Sequence, residues 1–166
     1  MYTSPIDLGL STTPDHSDPE TFQALANIHD AVHILNAQIN TFTGKLSVVF
    51  SEIIAPGKYV NLFNNAGVLT ARLAGYSGGT GARRAYGFCV TAPAVIGGTG
   101  EITFIGFNEF LAGLTLSLLY YLDQSGLTGD VTSVLPSTAG NIVQQLGYSL
   151  SNTILFSNPV LNPLQL

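Results

Sequence analysis

The spacing of hydrophobic residues in this chain changes once, at Gly44, and that change restricts the folds that the chain can adopt. Before Gly44, apolar side chains recur at alternating steps of three and four residues, which is the pattern of a coiled-coil seam. From Lys45 onward, short apolar or alternating segments lie between Gly, Pro and Asn residues, as is typical of β-strands. The sequence therefore predicts a mainly β chain whose one helix precedes the strands, and it argues against β-α-β units.

The predicted helix covers residues 18–44. Asp18 can cap its free N–H groups, Pro19 suits the first helical position, and Gly44 suits the end. Six apolar residues occupy the a and d positions of successive heptads: Leu25, Val32 and Ile39 at a, and Ile28, Leu35 and Phe42 at d. We interpret these six residues as the contact seam of a coiled coil.

Such a seam can pack against the chain's own β domain or against other copies of the helix. Its narrow width and strict heptad period favour other copies, because a core helix shows a broader apolar face. The flanking positions, such as those of Asn36 and Gln38, carry almost no charge that could select a foreign partner. Ile28 at a d position disfavours a dimer, so we predict a homotrimer.

Residues 1–17 contain Pro5 and Pro14 and show no helical or strand period, which predicts an extended arm. A frayed terminus is one interpretation of such a segment. The apolar residues of this arm are unusual for a solvated tail, and they favour an anchoring strap that becomes ordered on a partner. The predicted anchoring residues are Tyr2, Pro5, Ile6, Leu8 and Leu10.

Residues 45–159 are predicted to form a small antiparallel β-sandwich or β-barrel. Turn-forming residues separate nine predicted strands, at 46–54, 58–63, 68–73, 85–91, 101–107, 115–122, 131–135, 142–150 and 153–156. The sequence Asn64-Asn65-Ala66-Gly67 predicts a hairpin, because Asn and Gly tolerate positive φ. The continuous apolar run at 114–122 predicts a central strand that is buried on both faces. The C-terminal tail, residues 160–166, is apolar but too interrupted by prolines to be expected as a strand.

Charged residues are scarce and unevenly placed. Only 9% of the residues are Asp, Glu, Lys or Arg, against about 25% in ordinary domains, while 46% are hydrophobic. So few charges cannot cover the surface of a typical monomer, and we expect much of that surface to pack against another chain. The net charge of −5 comes entirely from residues 1–44. With only five Lys and Arg residues in all, binding to nucleic acid is not expected.

Cysteine content and hydropathy exclude further classes of protein. The single cysteine, Cys89, rules out an intrachain disulfide framework and a Cys-based zinc site, and we expect it in the core. No apolar run reaches the ~18 residues of a membrane span, and the N-terminus lacks the basic start of a secretory signal. The sequence therefore predicts a protein without a membrane segment, made inside the cell.

Three patterns are similar to catalytic or metal sites, and none is complete. Gly75-Tyr76-Ser77-Gly78-Gly79 fits G-x-S-x-G, but that motif needs a following helix and a later His, and all the histidines lie upstream. His29 and His33 are spaced to share a metal but lack the Glu of H-E-x-x-H. Glu101 and Glu109 are not expected to share a cleft. We predict no catalytic residue, no metal site and no cofactor.

Landmarks in the β domain resemble a module of tailed-bacteriophage structural proteins. The sequence IAPGKYVNL at 54–62 is similar to the opening hairpin of that module, and SNTILFSNP at 151–159 is similar to its closing segment. The intervening landmarks lie at 85–90, 100–106, 119–126 and 140–150. The module occurs in head-decoration and head-fibre proteins and in some tail fibres. SPIDLGL at 4–10 is similar to attachment segments of phage fibres.

The resemblance implies a homotrimeric virion protein without enzymatic activity, assembled in the bacterial cytoplasm. Its N-terminal arm would dock on the major capsid protein or another virion protein, as in a capsid decoration (cement) protein or a short head fibre. Because the chain stops soon after the module, we expect these roles rather than a tail-fibre or tail-appendage protein that attaches to the host. A cellular sugar-binding module is a further alternative, and it is disfavoured because Trp is absent.

Overall fold

The computed structural model describes residues 44–77 and 81–166. The predicted arm, and the predicted helix up to residue 43, lie outside these ranges. Fourteen strands form within the described residues and no helix does, so the prediction of a mainly β fold is confirmed there.

In chain order the strands are β1 (Lys45–Phe50), β2 (Tyr59–Asn65), β3 (Val68–Leu73), β4 (Gly75–Ser77), β5 (Gly81–Arg83), β6 (Gly87–Thr91), β7 (Thr99–Thr103), β8 (Gly106–Asn108), β9 (Leu119–Leu122), β10 (Val131–Thr132), β11 (Ile142–Val143), β12 (Gln145–Ser149), β13 (Leu155–Ser157) and β14 (Leu164–Gln165).

Five of these strands close into a barrel in the order β1-β3-β2-β6-β7, with β7 pairing back onto β1. The predicted hairpin joins β2 to β3: Ala66 and Gly67 both have positive φ, and the Asn64 side chain accepts a hydrogen bond from Gly67 N at 2.7 Å. Apolar residues fill the barrel, namely Val48, Phe50, Ile54, Val60, Ala71, Cys89 and Ile102. The period-2 pattern of the sequence therefore produces one closed core.

The barrel is not wholly antiparallel, which corrects the prediction. β1 and β3 run parallel, with Val49 beside Thr70 and Phe50 beside Ala71. A closed ring with an odd number of strands cannot alternate direction throughout, so at least one neighbouring pair must be parallel. Alternation of apolar and polar residues shows which face of a strand is buried and carries no information about the direction of its neighbours.

A second sheet, antiparallel throughout, lies against the outer wall of the barrel in the order β10-β9-β12-β13-β8. The core between the two layers is formed by Tyr59, Ala74, Ala85, Phe88, Leu114, Tyr120, Leu122, Ile142, Leu146 and Leu155. Tyr59 and Phe88 come from the barrel wall, and their rings pack 6.1 Å apart beneath the second sheet. Only one face of the second sheet is covered in this way.

Buried polar side chains join the two layers. The Tyr59 hydroxyl on β2 donates a hydrogen bond to Ser157 Oγ on β13 at 2.9 Å. Gln144, which is fully buried, accepts from Ala85 N at 2.7 Å and donates to the carbonyl oxygens of Ala85 at 2.7 Å and Val160 at 2.8 Å. Because buried donors and acceptors are costly to leave without partners, these bonds fix how the second sheet sits on the barrel.

The predicted strand at 115–122 is wrong over its first half, because only Leu119–Leu122 form β9. Ser117 has a φ of 62°, and its N–H donates to Ser149 O at 3.0 Å, so the backbone turns before the strand begins. Leu116 and Leu118 are exposed instead of buried. An apolar run predicts burial only where another layer covers it, and no part of the described chain covers this segment.

Further differences separate the predicted strands from the observed ones. The segment 101–107 divides at a bend formed by Phe104 and Ile105, where the chain leaves the barrel as β7 and enters the second sheet as β8. Strand β10 ends early, because Val134 N donates to the hydroxyl of Thr132 at 3.0 Å rather than to a neighbouring strand. The C-terminal tail does form a strand, β14, paired with β11. Pro163 immediately precedes that strand, where its missing N–H costs no ladder bond.

Two buried groups predict a loss of stability at alkaline pH. Burial raises the pKa of Tyr59 from 10.0 to about 12, although its hydrogen bond to Ser157 lowers it in part, and burial raises the pKa of Cys89 from 9.0 to about 11. Below pH 9.0 the free energy of unfolding keeps its full value, because both groups are protonated in both states. As the pH rises above 9.0 and 10.0, the unfolded chain releases protons that the folded chain retains, so stability falls, and the loss is complete once the folded groups ionise as well, at about 11 and 12.

For Tyr59 the expected loss is about 3 kcal/mol. Urea unfolding followed across this pH range should show a shallower decline for Tyr59→Phe than for the wild-type chain. An identical decline in the two proteins would contradict this assignment of the pH dependence.

Candidate interaction surface

The uncovered face of the second sheet presents a row of large apolar side chains. The register places Phe107 of β8 beside Phe156 of β13, Phe156 beside Tyr148 of β12, and Tyr148 beside Leu119 of β9. The ring centroids of Phe107 and Phe156 lie 5.7 Å apart, and those of Tyr148 and Phe156 lie 5.6 Å apart. Phe107 is 58% exposed, Tyr148 46% and Leu119 45%. We call these four residues the outer row.

A β-bulge in β12 directs Tyr148 into the outer row. The pairing of β12 with β9 shifts between Gln145 and Gly147, so that Leu146 and Gly147 are both buried and Tyr148 is exposed. Without the extra residue, strict alternation would turn Tyr148 towards the barrel. Gly147 is required at this point, because its φ is +156° and a Cβ there would lie 1.9 Å from Phe156 O.

An apolar groove of about 480 Å³ adjoins the outer row. Its lining is mostly apolar and includes Phe107 together with Ile105 and Phe110, which are both about half exposed. The first described residue of the chain lies close by, since the Gly44 carbonyl accepts a hydrogen bond from Phe104 N at 3.1 Å. Gly44, at which the described part of the β domain begins, therefore lies beside this groove.

Exposed apolar side chains extend beyond this face. In the part of the chain that the structure describes, nineteen large hydrophobic side chains are 42–72% exposed, against seventeen hydrophobic residues in the core. Lys58 and Asp130 form the only ion pair among the same residues. Single exposed hydrophobic residues are normal, but a continuous row beside an apolar groove makes this face a candidate interaction surface.

Two adjoining polar clefts offer a different chemistry. They measure about 550 and 290 Å³ and share the lining residues Gln124, Ser125, Thr138 and Asn141. Tyr76 adds an aromatic ring to the larger cleft, and Asp123 adds a carboxylate to the smaller one. Asn141 is 7% exposed, and its Oδ1 atom is buried without a hydrogen-bond partner. The clefts thus combine amides, hydroxyls and one carboxylate, which suit a polar ligand.

The predicted site residues of the helix and the arm lie outside the described ranges, and their roles stay predictions. They are the coiled-coil residues Leu25, Ile28, Val32, Leu35, Ile39 and Phe42, and the anchoring residues Tyr2, Pro5, Ile6, Leu8 and Leu10. His29 and His33 lie outside these ranges as well.

The first three residues of the G-x-S-x-G pattern form β4, which pairs antiparallel with β5 so that Gly75 lies beside Arg83, and the last two lie outside the described ranges. A nucleophile elbow would instead continue into a helix. Cys89 is buried in the barrel as predicted, and burial raises its pKa to about 11, which keeps the thiol protonated at neutral pH.

Within 44–77 and 81–166, no cluster of three or more His, Cys, Asp or Glu side chains is arranged to hold a metal ion. Nor does any helix in these ranges have the length and apolar character needed to cross a membrane.

Comparison with known proteins identifies no relative of this chain. No protein-family model matches it, and no curated protein or solved structure does so either. The likeness to phage decoration modules therefore depends on the sequence landmarks alone.

The sequence does not predict the outer row, although its members all fall in or next to predicted strands. On β13 both Leu155 and Phe156 are apolar, so no difference in polarity shows which of them points outward. Gly147 next to Tyr148 is the one available signal, because glycine inside a strand often marks a bulge.

Proposed function

We propose that this chain is a homotrimeric structural protein of a tailed-bacteriophage particle, either a capsid decoration (cement) protein or a short head fibre. The observation that carries the proposal is the exposed apolar surface of the β domain, above all the outer row and its groove. A chain with so few charges needs partner surfaces to cover such area. The heptads at 25–42 and the phage-module landmarks support the same conclusion.

Each segment has one role in this proposal. Residues 1–17 insert between subunits of the major capsid protein, residues 18–44 form a three-stranded stalk, and residues 45–159 form an outward knob. Decoration stabilises a shell by bridging its subunits, which requires buried area and no catalysis. The partners are other copies of the chain and a virion protein, with no role for nucleic acid, membrane or cofactor.

Deleting residues 1–17 is expected to weaken binding to the particle by at least about a hundredfold while the trimer stays intact. Three arms on one stalk bind with avidity, and a variant without arms loses all of that contribution. Cosedimentation with particles that lack the protein measures the binding, and light scattering measures the mass of the deletion variant.

Matched substitutions within the arm separate its apolar contacts from its length. Ile6→Ser, Leu8→Ser and Leu10→Ser together should reproduce the deletion, whereas Ser11→Ala, Thr12→Ala and Thr13→Ala together should bind as the wild type does. Unchanged cosedimentation of the deletion variant would refute the anchoring role of the arm.

A second candidate function is that of a tail-fibre or tail-appendage protein that attaches to a host-surface sugar. The polar clefts favour it, because amide, hydroxyl and carboxylate side chains line them together with the ring of Tyr76. Adsorption of the purified protein to host cells, lost in Asn141→Leu and retained after deletion of residues 1–17, would support this candidate. Absence of adsorption by the wild-type chain would exclude it.

A further inference from the structure

We propose that the three β domains contact one another around the threefold axis through an apolar strip that consists of Ile105, Phe110 and the outer row. The inference rests on the proposed homotrimer, and it assigns to that trimer a second contact besides the coiled coil. The occupant of the strip is thus a second copy of this chain.

The position of Gly44 carries the first step. Helices of a coiled coil pack with their axes about 8–10 Å apart, so a chain that leaves such a helix at Gly44 starts within roughly 10 Å of the symmetry axis. Gly44 O accepts from Phe104 N at 3.1 Å, and Ile105 is the next residue along the chain. The bend at Phe104 and Ile105 therefore lies close to the axis, where residues meet their counterparts from the other copies.

The direction of the outer row carries the second step. The row begins with Phe107, two residues after Ile105, and crosses from β8 through β13 and β12 to β9. Three strand spacings of about 4.8 Å extend it about 14 Å away from the bend. The groove with Ile105 and Phe110 adjoins its near end, so one continuous apolar surface leads outward from the axis.

Area and charge agree with a contact between copies. A large aromatic side chain has about 150–250 Å² of surface, so the five members of the strip that are about half exposed present roughly 500 Å². A stable interface needs about 800 Å² from each partner, and the coiled coil can supply the remainder. The strip itself contains no charged residue, while Lys45 and Glu109 line the adjoining groove and give it a polar rim.

The chemistry of the strip favours a protein surface over a sugar. Its rings pack against one another at tilts of 56° and 51°, and Tyr148 provides the only hydroxyl among its six members. Sugar sites need several converging hydrogen-bond partners beside a stacking ring. The polar clefts have such groups and the strip does not.

Single-tryptophan variants test the contact directly, because the chain contains no Trp of its own. In Phe107→Trp the new indole should emit as a buried group and resist quenching by a small soluble quencher in the assembled protein. Val95→Trp is the matched control, since Val95 is 63% exposed and lies in the turn before β7, at the end of that strand away from Gly44. Its indole should emit as a solvated group.

A paired substitution measures how much the strip contributes to assembly. Phe107→Ser with Tyr148→Ser should raise the concentration at which half the trimer dissociates at least tenfold, whereas Val95→Ser with Ile96→Ser should leave it unchanged. Circular dichroism shows whether each serine variant is folded. If one of them does not fold, the quenching of the Phe107→Trp indole still tests the contact, because that measurement does not use the serine variants.

The outcomes separate this inference from the proposed function. The wild-type chain could be a trimer while the Phe107→Trp indole is as accessible to the quencher as the Val95→Trp indole. That result would overturn the contact through the strip without contradicting the homotrimer. A wild-type monomer would overturn the homotrimer itself and the strip with it. A trimer with a protected indole at position 107 and weakened assembly of the serine pair is the expected result.

Discussion

Replacing both Val32 and Leu35 by Asp is expected to convert the trimer into monomers or aggregates. These residues occupy an a and a d position of the predicted seam, so a trimer would have to bury six carboxylates in an apolar core. An unpaired buried charge costs several kcal/mol even after relaxation. The summed cost of six such charges exceeds the free energy that three short helices gain by associating. Light scattering on the eluted protein measures the change in mass.

A control with the same added charge places it on the outside of the helix. Asn27→Asp and Asn40→Asp occupy a c position in the preceding heptad and a b position in the following one, where we expect no effect on the mass of the assembly. If the seam variant has the same mass as the wild type, the seam does not lie between subunits.

Replacing Gln144 by Leu is expected to cause the largest loss of stability in the β domain, about 4 kcal/mol. The substitution keeps a similar volume but leaves Ala85 N, Ala85 O and Val160 O without the partners that they have at 2.7–2.8 Å. Each buried group that loses its partner costs about 1–3 kcal/mol. Urea unfolding measures the difference in the free energy of unfolding.

The neighbouring residue provides the matched control. Gln145 is exposed on the other face of β12, so Gln145→Leu should change the free energy of unfolding by about 0.5 kcal/mol or less. Equal effects of the two substitutions would contradict the role of Gln144 in joining the barrel to the second sheet and the C-terminal tail.

Local chemistry makes part of this fold predictable from the sequence. The hairpin at 64–67 follows from the positive φ that Gly67 adopts readily and from the Asn64 side chain, which are properties of adjacent residues. The burial of Cys89 follows from its apolar strand. Such features need no information about distant parts of the chain.

Features that depend on distant segments were not predictable in this way. The parallel pairing of β1 with β3 follows from closing five strands into a ring, which no single strand pattern encodes. Leu116 and Leu118 lie in an apolar run, yet their burial would require a covering layer that the described chain does not provide. The C-terminal strand exists because β11 offers it a partner.

The candidate surface illustrates the same limit. Phe107, Tyr148 and Phe156 are far apart in sequence, and only the order β12-β13-β8 brings their rings together. Whether Tyr148 points outward is decided by the bulge at Gly147. The scarcity of charge, by contrast, predicts a partner surface from composition alone, without showing where it lies.

The molecular mass of the wild-type chain in dilute buffer tests the central claim most directly. Light scattering coupled to size-exclusion chromatography should give three times the 17.5 kDa of one chain, with little change on dilution through the micromolar range. A monodisperse species at 17.5 kDa would contradict the account, because the seam at 25–42 and the outer row would then have no second copy to cover them.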